Sequence, residues 1–193
     1  MSGANLKAYT EGATRYLGER VLTPRCMYLI RRPERSASGA VRGYSYVTFD
    51  DPTGGAPEGR VDIAAGETPG PVRTLLAFTS EEITAEYLHE ELRGVGEIYQ
   101  CVINTAEMGR LFRLMLGGKI SWFTFDRYPG SRPLDQRYTC WFVPLKFFAQ
   151  LVGRYVQVIA DHMARMPAWC PNDDMVLEIP PEVQQMIERT RND

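Results

Sequence analysis

The chain has 193 residues, of which 44% are hydrophobic and 24% are charged, and its formal net charge is -2. This composition is typical of a folded globular protein and excludes a disordered tail. The near-neutral balance provides no overall field that would draw the chain onto nucleic acid or an anionic membrane. We therefore expect one soluble domain with its own core.

The first third of the chain alternates a helical pattern with strand patterns. Apolar side chains on one helical face predict an amphipathic helix over residues 4–20. The run RCMYLIRR, bracketed by two prolines, is typical of a strand, and YSYVTFD predicts a second strand closed by a Pro and Gly turn. Gly and Pro are frequent in residues 51–71, which predicts an extended loop or arm.

The middle of the chain predicts two capped helices that lie between strands. After a strand pattern, Thr79 and Glu82 have the spacing of a capping box and predict the start of a helix. The run EIYQCVIN predicts the next strand, and Thr105 is a candidate cap for the helix that follows it. The run KISWFTFD then predicts another strand.

The last third of the chain predicts a strand, RYTCWFV, followed by a long helix. Pro144 suits the first position of this helix, which is predicted to end before Pro167. The helix is apolar nearly all round, which is typical of a central core helix or a subunit-contact helix. Polar and charged residues interrupt the run and exclude a simple membrane span. Residues 167–193 are predicted to form a C-terminal extension.

Together these patterns predict a single α+β domain over residues 1–193. We expect a mostly antiparallel mixed sheet, a long apolar helix near the C-terminus and extended Gly- and Pro-rich loops. A doubly wound parallel sheet is disfavoured because no Gly-rich phosphate loop follows a strand. The N-terminus lacks the pattern of a secretion signal, and the four cysteines lie far apart without a C-x-x-C spacing, three of them in apolar strand-like runs, which favours reduced thiols. We therefore expect a cytoplasmic or virion-associated protein.

Two runs are nearly the same, SYVTFD at residues 45–50 and SWFTFD at residues 121–126. If the two strands are neighbours, Asp50 and Asp126 would converge, and such a pair of carboxylates can hold a divalent cation or divide acid and base work. The alternative is that each aspartate caps a Pro and Gly turn at the end of its strand. A duplicated unit of helix, strand and strand is also left open.

Arginine is concentrated in residues 22–43, where five arginines face one glutamate. Arg31, Arg32 and Arg35 are candidates for contact with an anion or a partner, because guanidinium groups match phosphate oxygens and the nearby Ser and Gly expose backbone donors. Residues 44–69 contain five acidic residues and one arginine. The alternative is therefore that the basic and acidic segments pair with each other or with a neighbouring subunit.

Only two histidines are present, which limits acid–base and metal chemistry, and no cofactor is predicted. The sequence favours a non-catalytic assembly or interaction subunit with protein partners or a homo-oligomeric state. Its most concrete form is a phage or viral structural component of a virion or tail, which oligomerises through aromatic and loop surfaces. One alternative is a metal-dependent hydrolase or nuclease that uses Asp50 and Asp126. Another is a phosphate- or nucleic-acid-binding regulator that uses the Arg25–Arg42 loop, although the net charge gives it no support.

Overall fold

The structure is a computed structural model that describes residues 3–51, 72–127 and 141–155, together with residue 185. Almost all of the predicted arm at residues 51–71 lies outside the described residues, and so does the predicted C-terminal extension except for residue 185.

The described residues form four α-helices, one short π-helical turn and seven strands. The helices are α1 (Gly3–Leu17), α2 (Glu81–Glu90), α3 (Thr105–Gly117) and α4 (Leu145–Tyr155), and the π-helical turn Gly18–Leu22 continues α1. The strands are β1 (Cys26–Arg35), β2 (Val41–Tyr46), β3 (Thr48–Asp51), β4 (Val72–Phe78), β5 (Glu97–Val102), β6 (Trp122–Phe125) and β7 (Trp141–Pro144).

The seven strands belong to one mixed sheet, as predicted. β4 and β6 are parallel, whereas β1 is antiparallel to β2, β4 and β5, β3 is antiparallel to β4, and β6 is antiparallel to β7. The prediction of an α+β protein with a mostly antiparallel mixed sheet is confirmed. The single parallel pair requires a long crossover, and the chain between β4 and β6 contains α2, β5 and α3.

The sheet forks at Val47. β1 pairs with β4 only at Tyr28 and Leu29, and beyond these residues β1 pairs with β2 while β4 pairs with β3. At the fork, the Val47 amide donates to the Ile30 carbonyl and the Leu76 amide donates to the Val47 carbonyl. The β1–β2 hairpin therefore separates from the β3–β4 pair and extends as an arm of its own.

The two faces of the sheet carry different layers of helix. Leu29 of β1 belongs to the main core and the adjacent Ile30 to a smaller one, since side chains alternate between faces along a strand. α1, α3 and α4 bury their apolar side chains in the main core, and α2 contributes Tyr87 to the smaller one. The large side chains of the main core that are almost fully buried include Leu17, Leu22, Met27, Phe112, Phe123, Phe125, Phe147 and Phe148.

The caps of the two middle helices differ by one residue from the prediction. Ser80, not Thr79, caps α2, and its hydroxyl accepts from the Ile83 amide at 3.3 Å. Asn104, not Thr105, caps α3. The capping residue is the last one with extended backbone before the helix, and this condition is met by Ser80 and Asn104.

The predicted long apolar helix is not borne out. The described helix, α4, spans 11 residues, which corresponds to about 16 Å. Its side chains Phe147, Phe148, Leu151 and Val152 are fully buried, so the apolar character of this segment reflects burial on several sides rather than length. Within the described residues, no helix is long and apolar enough to cross a membrane.

Candidate functional site

The structure does not bring Asp50 and Asp126 together. Asp50 pairs with Arg73 at the start of β4, whereas the Asp126 amide donates to the Ala77 carbonyl near the end of the same strand. β3 and β6 also lie on opposite edges of β4. Four residues of β4 separate the two levels, which is roughly 13 Å at the rise of a β-strand. No shared metal or acid–base site is formed between the two aspartates by this register.

The two similar runs are also not copies of one unit. SYVTFD crosses the fork, with Tyr46 at the end of β2 and Thr48 at the start of β3, whereas SWFTFD runs from just before β6 to just after it. β3 is antiparallel to β4 and β6 is parallel to it. The similarity therefore does not extend to strand order or direction.

Asp126 is the centre of a buried polar cluster. Its carboxylate is 1% exposed and accepts from the Thr79 amide at 2.8 Å, from the Thr79 hydroxyl at 2.7 Å and from the Tyr16 hydroxyl. We call Asp126, Thr79 and Tyr16 the Asp126 cluster. It connects α1 with the ends of β4 and β6, so Asp126 accepts from distant parts of the chain. The Pro and Gly turn that the second sequence hypothesis expected Asp126 to cap lies outside the described residues.

Burial controls the protonation of the Asp126 cluster. Desolvation raises the pKa of Asp126, although the donors Tyr16 and Thr79 and the nearby charge of Arg20 act in the opposite direction. The pKa of Tyr16 is also raised, first by burial and then by the adjacent carboxylate. Since Asp126 is almost fully buried and accepts three hydrogen bonds from within the chain, the arrangement serves the fold.

The three candidate arginines occupy different environments. Arg31 lies on the face of β1 that carries Leu29, whereas Arg32 is on the other face, where its Nε donates to the Val95 carbonyl at 3.4 Å. Arg35 is at the end of the β1–β2 hairpin and donates to the Gly39 carbonyl at 3.0 Å. The structure therefore does not gather these arginines into one patch, and of the three Arg31 lines the cleft described next.

That cavity is an open cleft of about 240 Å³ between the β1–β2 hairpin, β5 and α3. We call it the Arg31 cleft. Its walls combine two arginines and two tyrosines with a glutamate, a cysteine and two leucines. The lining residues are Arg31, Tyr44, Tyr46, Cys101, Glu107, Arg110, Leu111 and Leu114.

The Arg31 guanidinium is held between aromatic rings. Its central carbon is 3.8 Å from the ring centroid of Tyr44 and 4.6 Å from that of Tyr99, and these tyrosines come from the strands on either side of β1. Nη2 donates to Glu97 Oε2 at 3.2 Å. Nε is buried and has no hydrogen-bond partner. The guanidinium therefore packs over two aromatic rings, and its terminal nitrogens remain for polar contacts.

A second polar group borders the cleft on the side of α3. The Tyr99 hydroxyl donates to Glu107 Oε2 at 2.6 Å, and Arg110 Nη2 donates to the same oxygen at 2.6 Å and to the Tyr99 hydroxyl at 2.8 Å. Burial, followed by the contact with Glu107, raises the pKa of Tyr99 to about 12. Tyr99 is therefore a neutral hydroxyl at physiological pH and positions both charged side chains.

Cys101 contributes a neutral thiol to the cleft. Burial raises the pKa of Cys101 to about 12, with a smaller contribution from the charge of Glu107. Since the thiolate is the nucleophile, this thiol is unreactive near neutral pH. Among the described residues, no group of three or more His, Cys, Asp and Glu side chains could hold a metal ion. Of the two histidines in the sequence, His89 is exposed on α2 and His162 lies outside the described residues.

Sequence reasoning missed most of the cleft. Tyr44 and Tyr46 stand two residues apart on β2, and Tyr99 and Cys101 do the same on β5, so the period of a strand places each pair on one face. This alternation was visible in YSY and in YQC. The proximity of Arg110 on α3 was not, because it depends on how the helix packs on the sheet.

No family model, no curated protein and no solved structure matches the chain, so comparison with known proteins does not place it in a family.

Proposed function

We propose that this chain is a non-catalytic assembly or interaction subunit that oligomerises through the Arg31 cleft and the adjoining β1–β2 hairpin. A structural component of a phage or virus is the most concrete form of this proposal. The observation that carries it is the open cleft in which Arg31 is stacked between two tyrosines.

The composition of this surface supports partner binding. Tyr and Arg are enriched at the centres of protein–protein interfaces, where large, conformationally restricted side chains provide much of the binding free energy. The stacking of Arg31 restricts three of these side chains before a partner arrives. Tyr44 and Val41 are 39% and 45% exposed, so an apolar surface adjoins the charged one.

The hairpin also offers backbone contacts. Among the described strands, β2 pairs with β1 alone, so its second edge lies at the open side of the fork. An edge of this kind can accept a strand from another chain. The chemistry of the described residues is less suited to catalysis, because the carboxylate of Asp126 is enclosed and the thiol of Cys101 is protonated.

The proposal is tested by measuring the solution mass of the full chain by light scattering at increasing concentration. We expect a mass above that of one chain, which shifts toward the monomer in Tyr44→Ala because the cleft then loses one ring of the stack. His89→Ala, on the opposite face of the sheet, is the matched control and should behave as the unmodified protein. A strict monomer at every concentration would overturn the proposal, and so would an oligomer that Tyr44→Ala leaves unchanged.

A further inference from the structure

We propose that the Arg31 cleft is a carboxylate-binding site, which takes an acidic side chain of a partner protein. This inference deepens the proposed function and rests on it for the nature of the partner. It is carried by the donors of two arginines, the charge balance of the cleft and the size of the cleft.

The geometry of Arg31 selects a planar acceptor. Because the Arg31 guanidinium lies over the rings of Tyr44 and Tyr99, these rings limit the directions from which a ligand can reach its nitrogen atoms. Nη2 uses one donor on Glu97 and Nε is buried, so a ligand must use donors of the two terminal nitrogens. A carboxylate is planar and matches the guanidinium edge with two parallel hydrogen bonds. The stack also fixes the orientation of Arg31 before a ligand arrives, which lowers the entropic cost of binding.

Arg110 provides a second positive charge at the α3 side of the cleft. Its side chain is 58% exposed, so its guanidinium can turn toward a ligand without being freed from a core. Glu107 holds one of its nitrogen atoms, and the other donors of the guanidinium remain available for a ligand oxygen.

The charge balance favours a carboxylate over a phosphate. Arg31 and Arg110 are each paired with one carboxylate, Glu97 and Glu107, so the four charges sum to zero before a ligand binds. A ligand with one negative charge is tolerated more readily here than a phosphate with about two. Nucleic acid requires a surface with excess positive charge, which this cleft lacks.

The size and the apolar wall suit a side chain. Cofactor and drug-sized ligands usually occupy pockets of roughly 300 to 1,000 Å³, whereas this cleft measures about 240 Å³. Leu111 and Leu114 provide an apolar wall on α3, against which the methylene groups of a glutamate can pack.

The test uses the full chain and short synthetic peptides, with the Arg31 Nε–H resonance as the NMR readout. A capped peptide with one glutamate should shift this resonance and bind about tenfold more tightly than the same peptide with glutamine. Arg31→Lys retains the charge but removes the edge with its parallel donors, so it should weaken binding about tenfold. Arg113→Lys, on the exposed surface of α3 outside the cleft, is the control and should leave binding unchanged.

Arg110→Lys is the second variant, and it keeps the proposal testable if Arg31→Lys does not fold. This variant should bind the same glutamate peptide more weakly, because lysine keeps the second positive charge but lacks the paired N–H donors of the guanidinium group. Equal binding of the glutamate and glutamine peptides would overturn the proposal. If inorganic phosphate or an oligonucleotide bound more tightly than the glutamate peptide, the cleft would be a phosphate-binding site and the proposal would be wrong. If an uncapped alanine peptide bound more tightly than the capped glutamate peptide, the ligand would be a C-terminal carboxylate and not an acidic side chain.

The two proposals fail in different ways. If the glutamate peptide binds while the chain stays a monomer, the carboxylate site stands and the oligomeric function is wrong. If the chain oligomerises and the peptide neither binds nor dissociates the oligomer, the carboxylate site is wrong and the proposed function stands.

Discussion

The Asp126 cluster and the Arg31 cleft are two polar groups on one sheet, and they differ in how completely their members satisfy one another. The Asp126 carboxylate is buried and accepts three hydrogen bonds from within the chain. The Arg31 side chain lines an open cleft, and within the described residues its guanidinium makes one hydrogen bond, from Nη2 to Glu97. Both contain tyrosines, so the residue types alone do not separate the two roles.

This difference teaches how a structural cluster can be distinguished from a binding site. The deciding features are whether the polar atoms already have hydrogen-bond partners within the chain and whether a ligand can reach them, rather than their charge. A buried carboxylate with all its donors in place stabilises the elements it joins and has nothing left for a ligand. A preoriented guanidinium with unused donors can gain hydrogen bonds when a partner arrives. The first should respond to substitution with a loss of stability, and the second with a loss of binding.

The largest effect is expected for Asp126→Ala. The substitution leaves the Thr79 amide, the Thr79 hydroxyl and the Tyr16 hydroxyl without their acceptor in a buried place. We expect the free energy of unfolding to fall by about 3 kcal/mol. Urea denaturation measures the change, with Asp126→Asn as the control that retains one acceptor. A loss no larger than that of an exposed surface substitution would show that this cluster is not structural.

A matched pair of hydroxyl deletions compares the two regions directly. Tyr16→Phe removes a donor from the buried Asp126, and we expect a loss of about 1.5 kcal/mol in unfolding free energy. Tyr99→Phe removes the hydroxyl that donates to the half-buried Glu107. We expect a loss of about 0.5 kcal/mol in unfolding free energy, because a water molecule can replace this hydroxyl as the donor. Equal losses in thermal denaturation of the two variants would contradict the distinction.

The pH dependence of stability should identify Asp126. Its pKa is raised in the folded protein, so the protonated form is favoured by folding. This contribution is fully present below the unfolded pKa of about 3.9 and is lost as the pH rises through the folded pKa. The effect should be smaller than that of deleting the side chain, because three donors partly offset the burial.

Urea midpoints measured from about pH 4 to neutrality provide the measurement. The difference in stability between the unmodified protein and Asp126→Asn should shift against the unmodified protein as the pH rises. A difference that stays constant, or that shifts in the opposite direction, would mean that the pKa of Asp126 is not raised.

The smallest effect is expected for Glu107→Gln at the edge of the cleft. The ion pair with Arg110 joins consecutive turns of α3, and the Arg110 side chain is 58% exposed, so solvent screens it. We expect a change of less than about 0.5 kcal/mol in unfolding free energy. The glutamate peptide should bind more tightly to this variant, since the cleft loses a negative charge. A large loss of stability would place Glu107 among the structural residues.

Much of the local structure was predictable because it depends on short-range patterns. The strand at RCMYLIRR and the two middle helices were visible as periodicity and caps, although β1 runs through Pro33 to Arg35 instead of ending before the proline. The cap of α2 was displaced by one residue, and Thr79 gives its hydroxyl to Asp126 instead of to the helix. That choice depends on a partner 47 residues away.

The candidate site was predictable only in part. The concentration of arginine pointed to Arg31, but it also pointed to Arg32 and Arg35, which lie elsewhere. The pleat of β1 separates Arg31 from Arg32, and this follows from the sequence once the strand is known. The contribution of Arg110 does not, because it requires the packing angle of α3.

By itself, the sequence determined the mixed α+β character, most of the strands and helices and the alternation that places tyrosines on one face of β2 and β5. These features arise from interactions between residues close in the chain. Only the tertiary structure decided that Asp50 and Asp126 lie at different levels of β4, that the sheet forks at Val47 and that Arg31 packs over Tyr99 and shares a cleft with Arg110. These features depend on strand order, register and helix packing, which are set by the burial of one common core and not by any local pattern.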